Sequence, residues 1–194
     1  GRTVGLYMGW RTTFLFIGIA ASLVLILLVF VLPVLKSNNS GSFKSLPQLV
    51  KRPALTGIYI LTALMIAAHF TGYTYIEPFM INIAGLSENT ATVGLLIFGI
   101  AGIGGSFLFS RYNEKRSLFL MGGSVICITI SLLLIYPLAI NTFTVFLLFT
   151  FWGTSIMIFN LVFQDAVIKI APDATAVAMS IYSGIYNVGI GSGA

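Results

Sequence analysis

Polar and titratable side chains are concentrated in one short part of an otherwise apolar segment, AHFTGYTYIEPF, at residues 67–78. A histidine can exchange a proton near neutral pH, and an intramembrane glutamate usually marks a pathway for protons or ligands. Tyrosine and threonine hydroxyls can both donate and accept hydrogen bonds. These residue types therefore suit proton exchange and the binding of a polar ligand, provided that the rest of the chain positions them inside a membrane.

The composition is that of an integral membrane protein. The chain is 58% hydrophobic and 8% charged, whereas a soluble domain carries about 25% charged residues. Its net charge of +5 is better explained by lysine and arginine in cytoplasmic loops than by nucleic-acid binding. We therefore expect no nucleic-acid partner.

Long, continuous apolar runs predict transmembrane helices of about 20 residues and argue against strands. The predicted fold class is an all-α membrane protein with about five complete spans and a truncated sixth. The spans are Thr13–Leu35, Ala54–Ile83, Thr90–Ser110, Ser117–Leu138, Thr142–Ile170 and a last one that starts near Thr175.

The segments between these spans alternate in charge. The first, third and fifth connections carry most of the lysine and arginine, whereas the second has one glutamate and the fourth has no charge. Because positive loops stay on the cytoplasmic side, we predict that the first, third and fifth connections are cytoplasmic. The first is long and rich in Gly, Ser and Asn, so we interpret residues 36–53 as a flexible linker between parts of two bundles, 1–35 and 54–194.

The second span places its polar residues at different depths. At about 1.5 Å per residue, His69 lies about 22 Å and Glu77 about 34 Å from the cytoplasmic start. The hydrocarbon core is about 30 Å thick, so His69 lies inside it and Glu77 near the outer interface. Pro78 has no N–H to pair with the carbonyl of Thr74, and with Gly72 it predicts a bend in the outer half of this helix.

The fifth and sixth spans carry the other intramembrane polar groups. Trp152 is predicted near mid-depth, Asn160 deeper, and Asn187 near the midplane in a stripe of small and polar residues. With the second span, these helices are predicted to line a cavity. The candidate ligand-binding or cavity-lining residues are His69, Tyr73, Trp152, Asn160 and Asn187, and the candidate gate or proton-coupling residues are Tyr75, Glu77 and Pro78.

Structural alternatives exist for most of these residues. The histidine and the asparagines could instead hydrogen-bond between helices, and the tyrosines and the glutamate could be ordinary interfacial residues. The glycines of the third span predict close helix packing.

Motifs of enzymes and metal sites are absent from the sequence. It contains no HExxH, GxSxG or GxxxxGK[ST], so we expect no enzyme, no cofactor and no metal. The sequence also fits two other classes of membrane protein. One is a channel or scaffold subunit, and the other is an intramembrane enzyme whose catalytic residues are supplied by further sequence.

Two stretches resemble the major facilitator superfamily. GWRTTF at residues 9–14 resembles its turn between the fifth and sixth helices. SFLFSRYNEKR at residues 106–116 resembles its cytoplasmic signature, with Ser106 in place of a glycine and Ser110 in place of an aspartate. The basic positions of that signature are kept by Arg111, Lys115 and Arg116.

Residues 52–85 and 163–194 resemble, more specifically, bacterial sugar-efflux transporters of the SotB type in the drug:proton antiporter branch. The resemblance implies that 1–35 holds the end of the fifth helix and the sixth, 36–53 the central cytoplasmic loop, and 54–194 the seventh to eleventh helices. It further implies proton-coupled export of arabinose-like sugars or thiogalactosides across the bacterial inner membrane, or export of drugs. The implied partners are the substrate, protons, lipid and an N-terminal bundle.

Overall fold

The computed structural model describes residues 9–32, 45–139 and 141–194, and these are mostly helical. The helices are α1 Trp10–Val31, α2 Leu46–Val50, α3 Pro53–Thr74, α4 Ile76–Asn82, α5 Glu88–Leu134, α6 Thr142–Ile170 and α7 Thr175–Gly193. The predicted all-α fold class is confirmed. By its contacts, α1 belongs to one unit and α2 to α7 to another, so the two units are described separately.

Four helical segments in the described part of the chain are long and apolar enough to cross a membrane. They are Arg11–Val31, Pro53–Asn82, Glu88–Leu134 and Thr142–Ile170. The third has 47 residues and would be about 70 Å long if it were straight, more than twice the hydrocarbon thickness of about 30 Å. The predicted sixth span corresponds to α7, which is not among the four.

Helix α5 reverses direction at Arg116, whose φ of −139° and ψ of 34° are not helical. The ring of Trp152 contacts that of Phe98, with centroids 5.3 Å apart, and Trp152 and Leu132 both approach Gly72. A straight helix would separate Phe98 from Leu132 by about 51 Å. Helix α5 is therefore a hairpin.

The two arms of this hairpin, arm 1 (88–115) and arm 2 (117–134), match the predicted third and fourth spans. The prediction of a loop between them is wrong for residues 111–115, which are helical. Their sequence, RYNEK, has no glycine or proline and includes three good helix formers. The turn is reduced to a single non-helical residue.

Local signals explain where several helices begin. Pro53 is the first residue of α3, a position where its missing N–H costs nothing. The Ser87 hydroxyl accepts a hydrogen bond from the Thr90 N–H at the start of α5, at 3.2 Å. Asn141 Oδ1 does the same for the Thr144 N–H at the start of α6, at 3.0 Å. Such caps satisfy N–H groups that have no partner inside the helix.

Part of the predicted linker is ordered. Residues 46–50 form α2, and Leu49 is fully buried where α2 packs on α3 and α7. The leucines of Leu-Pro-Gln-Leu-Val explain this, because burial of their apolar side chains stabilises the segment. The expectation of a flexible linker is therefore corrected for 46–50, and residues 33–44 lie outside the described part.

Helix α6 forms the centre of its unit. It packs most extensively on α5, while α3 packs mainly on α7. The aromatic side chains of Trp152, Phe149, Phe159 and Phe163 are all essentially inaccessible to solvent. This core fixes the helices that carry the candidate functional residues.

Glycine allows arm 1 to approach α6 closely. A Cβ added at Gly105 would lie 2.5 Å from the carbonyl oxygen of Thr154 and 3.0 Å from Met157 Cβ. The carbonyl is backbone and cannot rotate away. The predicted role of these glycines in packing is confirmed at Gly94, Gly102 and Gly105, which are buried.

Gly105→Ala is expected to lower the free energy of unfolding by about 1–3 kcal/mol, because overpacking forces the two backbones apart. Gly104→Ala is the matched control, since nothing lies within 4 Å of its added Cβ. The control should be neutral or slightly stabilising, because alanine is the better helix former. Melting temperatures in detergent would test the pair, and equal values for both variants would contradict this packing.

Candidate functional site

The histidine of the segment 67–78 is held by a tryptophan from another helix. Trp152 Nε1 on α6 donates a hydrogen bond to His69 Nδ1 on α3, at 3.0 Å. His69 is 5% exposed and Trp152 is 1% exposed. Because Nδ1 accepts this bond, the proton of the neutral ring is on Nε2. Protonation of Nδ1 would require this hydrogen bond to break.

Other aromatic rings surround the pair. His69 stacks against Tyr73 with centroids 5.7 Å apart and against Phe98 with centroids 6.2 Å apart. Trp152 meets His69 and Phe149 edge-on, at 5.4 and 6.2 Å. We call these five residues the aromatic cluster; it joins α3, arm 1 of α5 and α6.

The burial of this cluster changes the interpretation of two candidates. The sequence predicts that His69 and Trp152 bind ligand or line a cavity, whereas in this conformation each contacts the other and both are almost fully covered. The arrangement matches the structural alternative for His69, an interhelical hydrogen bond. Tyr73 differs, because it is 39% exposed and presents part of its ring to the outside of the cluster.

The outer half of the second predicted span is broken where the sequence indicates a bend. Helix α3 ends at Thr74, and Tyr75, with φ −97° and ψ 4°, separates it from α4. The break lies three residues before Pro78, beside the carbonyl that proline leaves without its usual partner. The bend in the outer half of this span is thus present.

The predicted gate residues lie in different places. Glu77, half-buried, and Tyr73 line a cavity of about 400 Å³ that also touches arm 1 and α7. Tyr75 lines another cavity, of about 330 Å³, between α3 and arm 2. The structure therefore brings Glu77 together with Tyr73 rather than with Tyr75. Pro78 is exposed and lines neither cavity.

Asn160 and Asn187 share one polar cavity of about 190 Å³ between α6 and α7. We call it the amide cavity; its walls are Asn160, Gln164, Met179, Tyr182, Ser183, Tyr186 and Asn187. Each asparagine donates one N–H to a carbonyl four residues earlier, Asn160 to Ile156 at 3.0 Å and Asn187 to Ser183 at 2.8 Å. An amide has two N–H groups and an acceptor oxygen, so each retains further hydrogen-bonding capacity.

Two tyrosines of this cavity were missed from the sequence. Tyr182 and Tyr186 are four residues apart on α7, and this spacing puts them on one face. Ser183 and Asn187 have the same spacing. This spacing of four residues is the sequence signal that could have identified Tyr182 and Tyr186. The hydroxyls of Tyr182 and Thr62 are both buried and interact with each other.

The basic signature residues lie at the exposed end of the hairpin. Arg111, Lys115 and Arg116 are all exposed. The buried contact there is instead made by Asn113, whose Nδ2 donates to Asp165 Oδ2 at 2.7 Å. Lys169 contacts the same carboxylate oxygen at 2.6 Å. Asn113 was not a candidate, because nothing in the local sequence indicates a contact with α6.

An ion pair connects the residue before α3 to the turn before α7. Arg52 forms two hydrogen bonds with the Asp173 carboxylate, at 2.9 and 2.7 Å, and a third with the carbonyl of Ile170 at 2.9 Å. The hydrogen bonds from Arg52 hold the pKa of Asp173 below its usual value. This pair ties the start of α3 to the turn between α6 and α7 at neutral pH.

Comparison with known families agrees with this architecture. The model of the Major Facilitator Superfamily matches residues 1–194, the full length of the chain. Apolar helices long enough to span a membrane and polar residues between them fit that match. The chain belongs to the Major Facilitator Superfamily, whose members are multi-pass secondary transporters rather than enzymes.

Proposed function

We propose that this chain forms part of a proton-coupled exporter of sugars, such as arabinose-like sugars and thiogalactosides, in the bacterial inner membrane. The substrate would bind between the bundle described here and the N-terminal bundle of the superfamily fold. Rocking of the two bundles would expose the site to each side of the membrane in turn.

The amide cavity is the observation that carries this proposal. Its walls combine side-chain amides, hydroxyls and two tyrosine rings. Sugar hydroxyls both donate and accept hydrogen bonds, and so do amides and hydroxyls. The tyrosine rings would cover the apolar C–H faces of a sugar, as aromatic rings in ligand pockets do. Among the residues that the structure describes, none with a charge lines this cavity, which suits a neutral ligand.

In this proposal the aromatic cluster positions helices and does not bind substrate through His69 or Trp152. His69 and Trp152 join α3 to α6 in the interior, so they would hold α6 at a fixed angle to α3. They would affect the substrate through the position of α6 rather than by direct contact. Tyr73, which is partly exposed, is the member of the cluster that would contact substrate.

Transport by the intact protein in proteoliposomes with an imposed pH gradient tests the proposal. Asn160→Leu is expected to weaken sugar transport roughly 5- to 150-fold in kcat/KM. Such a range corresponds to the 1–3 kcal/mol cost of leaving a ligand hydroxyl without its partner. Labelled arabinose and a labelled thiogalactoside would be followed in parallel.

Thr150→Leu is the matched control for this experiment. Thr150 also lies on α6 and donates to the carbonyl four residues earlier, at 2.9 Å, but it is exposed and does not line the amide cavity. It should transport like the wild type. Equal loss in both variants would remove the amide cavity from the proposal. Movement of apolar drugs but of neither sugar would replace the sugar exporter with a multidrug:proton antiporter.

A further inference from the structure

A further cavity, here called the hairpin cavity, lies on the opposite side of α6 from the amide cavity. It has a volume of about 330 Å³ between the two arms of α5 and α6. Ser155 lines this cavity and Gln164 lines the amide cavity. Nine residues separate them, which is about 180° around a helix. The hairpin cavity therefore opens away from the proposed path of the substrate.

The walls of this cavity are apolar. Its lining residues include Leu108, Phe119, Leu120 and Ile158. Its two serines use their hydroxyls within their own helices, Ser124 to the Met121 carbonyl at 2.9 Å and Ser155 to the Phe151 carbonyl at 2.7 Å. The walls therefore offer a hydrocarbon surface with little demand for hydrogen bonds.

One end of the cavity is positively charged. Arg116, at the turn of the α5 hairpin, lines the cavity, and it forms no ion pair or side-chain hydrogen bond with other residues that the structure describes. Arg111 and Lys115 are close in sequence, with Glu114 as the acidic residue among them. The positive charge of this hairpin turn predicts that it faces the cytoplasm.

The cavity has the depth of one leaflet. From Arg116 to Cys127, the deepest lining residue of arm 2, the helix rises about 16 Å. Half of the hydrocarbon core is about 15 Å. A guanidinium at the headgroup level and an apolar groove of this length match the two parts of a phospholipid.

We propose that this groove binds an anionic phospholipid of the cytoplasmic leaflet. The phosphate would pair with Arg116, and one acyl chain would lie along arm 2 past Phe119, Gly123 and Cys127. Basic pockets between transmembrane helices on the cytoplasmic side suit anionic headgroups. The lipid would fill the space between the arms of α5 and stabilise the hairpin against α6.

Native mass spectrometry of the intact, delipidated protein tests this proposal. The protein would be exposed to an equimolar mixture of phosphatidylglycerol and phosphatidylcholine with the same dioleoyl chains. The wild type should retain phosphatidylglycerol in preference. Arg116→Gln is expected to lower that preference about fivefold, the effect of one basic residue near an anionic membrane surface. Arg111→Gln is the control, because Arg111 does not line the groove.

Substitutions at Gly122 and Gly123 test the contact between the acyl chain and the groove separately. Nothing lies within 4 Å of a Cβ added at Gly122 or at Gly123, but Gly123 alone of the two lines the groove. Gly123→Leu should reduce retention of both lipids, whereas Gly122→Leu should retain them like the wild type. Melting temperatures would show whether both variants are folded. If Gly123→Leu is unfolded, the comparison of Arg116→Gln with Arg111→Gln tests the proposal.

Several results would overturn the proposal. Equal lipid retention in Arg116→Gln and wild type would remove the headgroup contact. Equal retention in folded Gly123→Leu and Gly122→Leu would remove the acyl groove. Full competition by glycerol phosphate, which has no acyl chain, would show a phosphate site instead of a lipid site. A wild type that retains no lipid would indicate that another part of the protein covers the groove.

Discussion

Trp152→Ala is expected to lower the free energy of unfolding by about 3–5 kcal/mol, the usual cost of removing a large buried aromatic side chain. Trp152 is 1% exposed and contacts His69, Phe98 and Phe149 at ring-centroid distances between 5.3 and 6.2 Å. Its loss would leave a cavity between α3, arm 1 and α6. It would also leave His69 Nδ1 without its donor.

Two further variants separate these contributions. Trp152→Phe keeps most of the apolar volume but removes the N–H, so it should cost about 1–3 kcal/mol for the unsatisfied acceptor. Phe151→Ala is the neighbouring control, because Phe151 is 56% exposed. The control should change stability by no more than about 0.5 kcal/mol.

Thermal unfolding in one detergent would measure all three variants. A double-mutant cycle of Trp152→Phe with His69→Phe isolates the hydrogen bond from the change of volume. The coupling energy should be about 0.5–1.5 kcal/mol, typical of a neutral hydrogen bond. A Trp152→Ala variant no less stable than Phe151→Ala would show that this cluster does not hold the three helices together.

The helices and part of the polar cavity could be predicted because their signals are local. Hydropathy over about 20 residues marks each apolar run, and the spacing of glycines marks a close contact. Asn160 and Asn187 could both be proposed as cavity residues, since each is a polar side chain within an apolar helix. The structure places both in the same cavity.

The contacts that give other residues their environment are not local. His69 and Trp152 are 83 residues apart, and Asn113 and Asp165 are 52 residues apart. Nothing in a single sequence states which faces of two distant helices meet. The burial of His69 and Trp152, and the separation of Tyr75 from Glu77, follow from that packing and could not be read in advance.

The hairpin of α5 was mispredicted for a different reason. Charged residues between two apolar runs indicated a loop, but Arg, Glu and Lys are also good helix formers. A charged side chain indicates that a residue contacts water. It does not determine the backbone conformation, which follows from helix propensity and steric limits. Arg116 satisfies both, because it makes the turn and its side chain is exposed.

Glu77→Gln is expected to abolish gradient-driven accumulation of substrate while exchange of substrate across the membrane continues. Glu77 is a candidate for proton coupling, and His69 in the same segment is also of a type that can exchange a proton. The structure favours Glu77, since it lines a cavity of about 400 Å³ with Tyr73. His69 Nδ1 accepts the Trp152 N–H, so its protonation would break that hydrogen bond. An ionisable carboxylate beside an open cavity can exchange protons without breaking the aromatic cluster.

Accumulation at a fixed pH gradient measures this coupling. A gradient of one pH unit supplies about 1.4 kcal/mol per proton, enough for a roughly tenfold concentration ratio of substrate. Wild type should approach that ratio with one proton per substrate, and Glu77→Gln should approach a ratio of one. Glu88→Gln, which changes the glutamate in the first turn of α5, should behave like wild type.

The substrate-exchange assay distinguishes lost coupling from a broken protein. Glutamine keeps the size of glutamate and can still hydrogen-bond, but it cannot carry the proton. Exchange at the wild-type rate together with a ratio of one would assign proton coupling to Glu77. Full accumulation by Glu77→Gln would exclude Glu77 as the proton carrier. His69→Gln would then be tested, because it removes the other side chain that can exchange a proton. Since this change also weakens the aromatic cluster, a loss of accumulation would count as lost coupling only if substrate exchange continues.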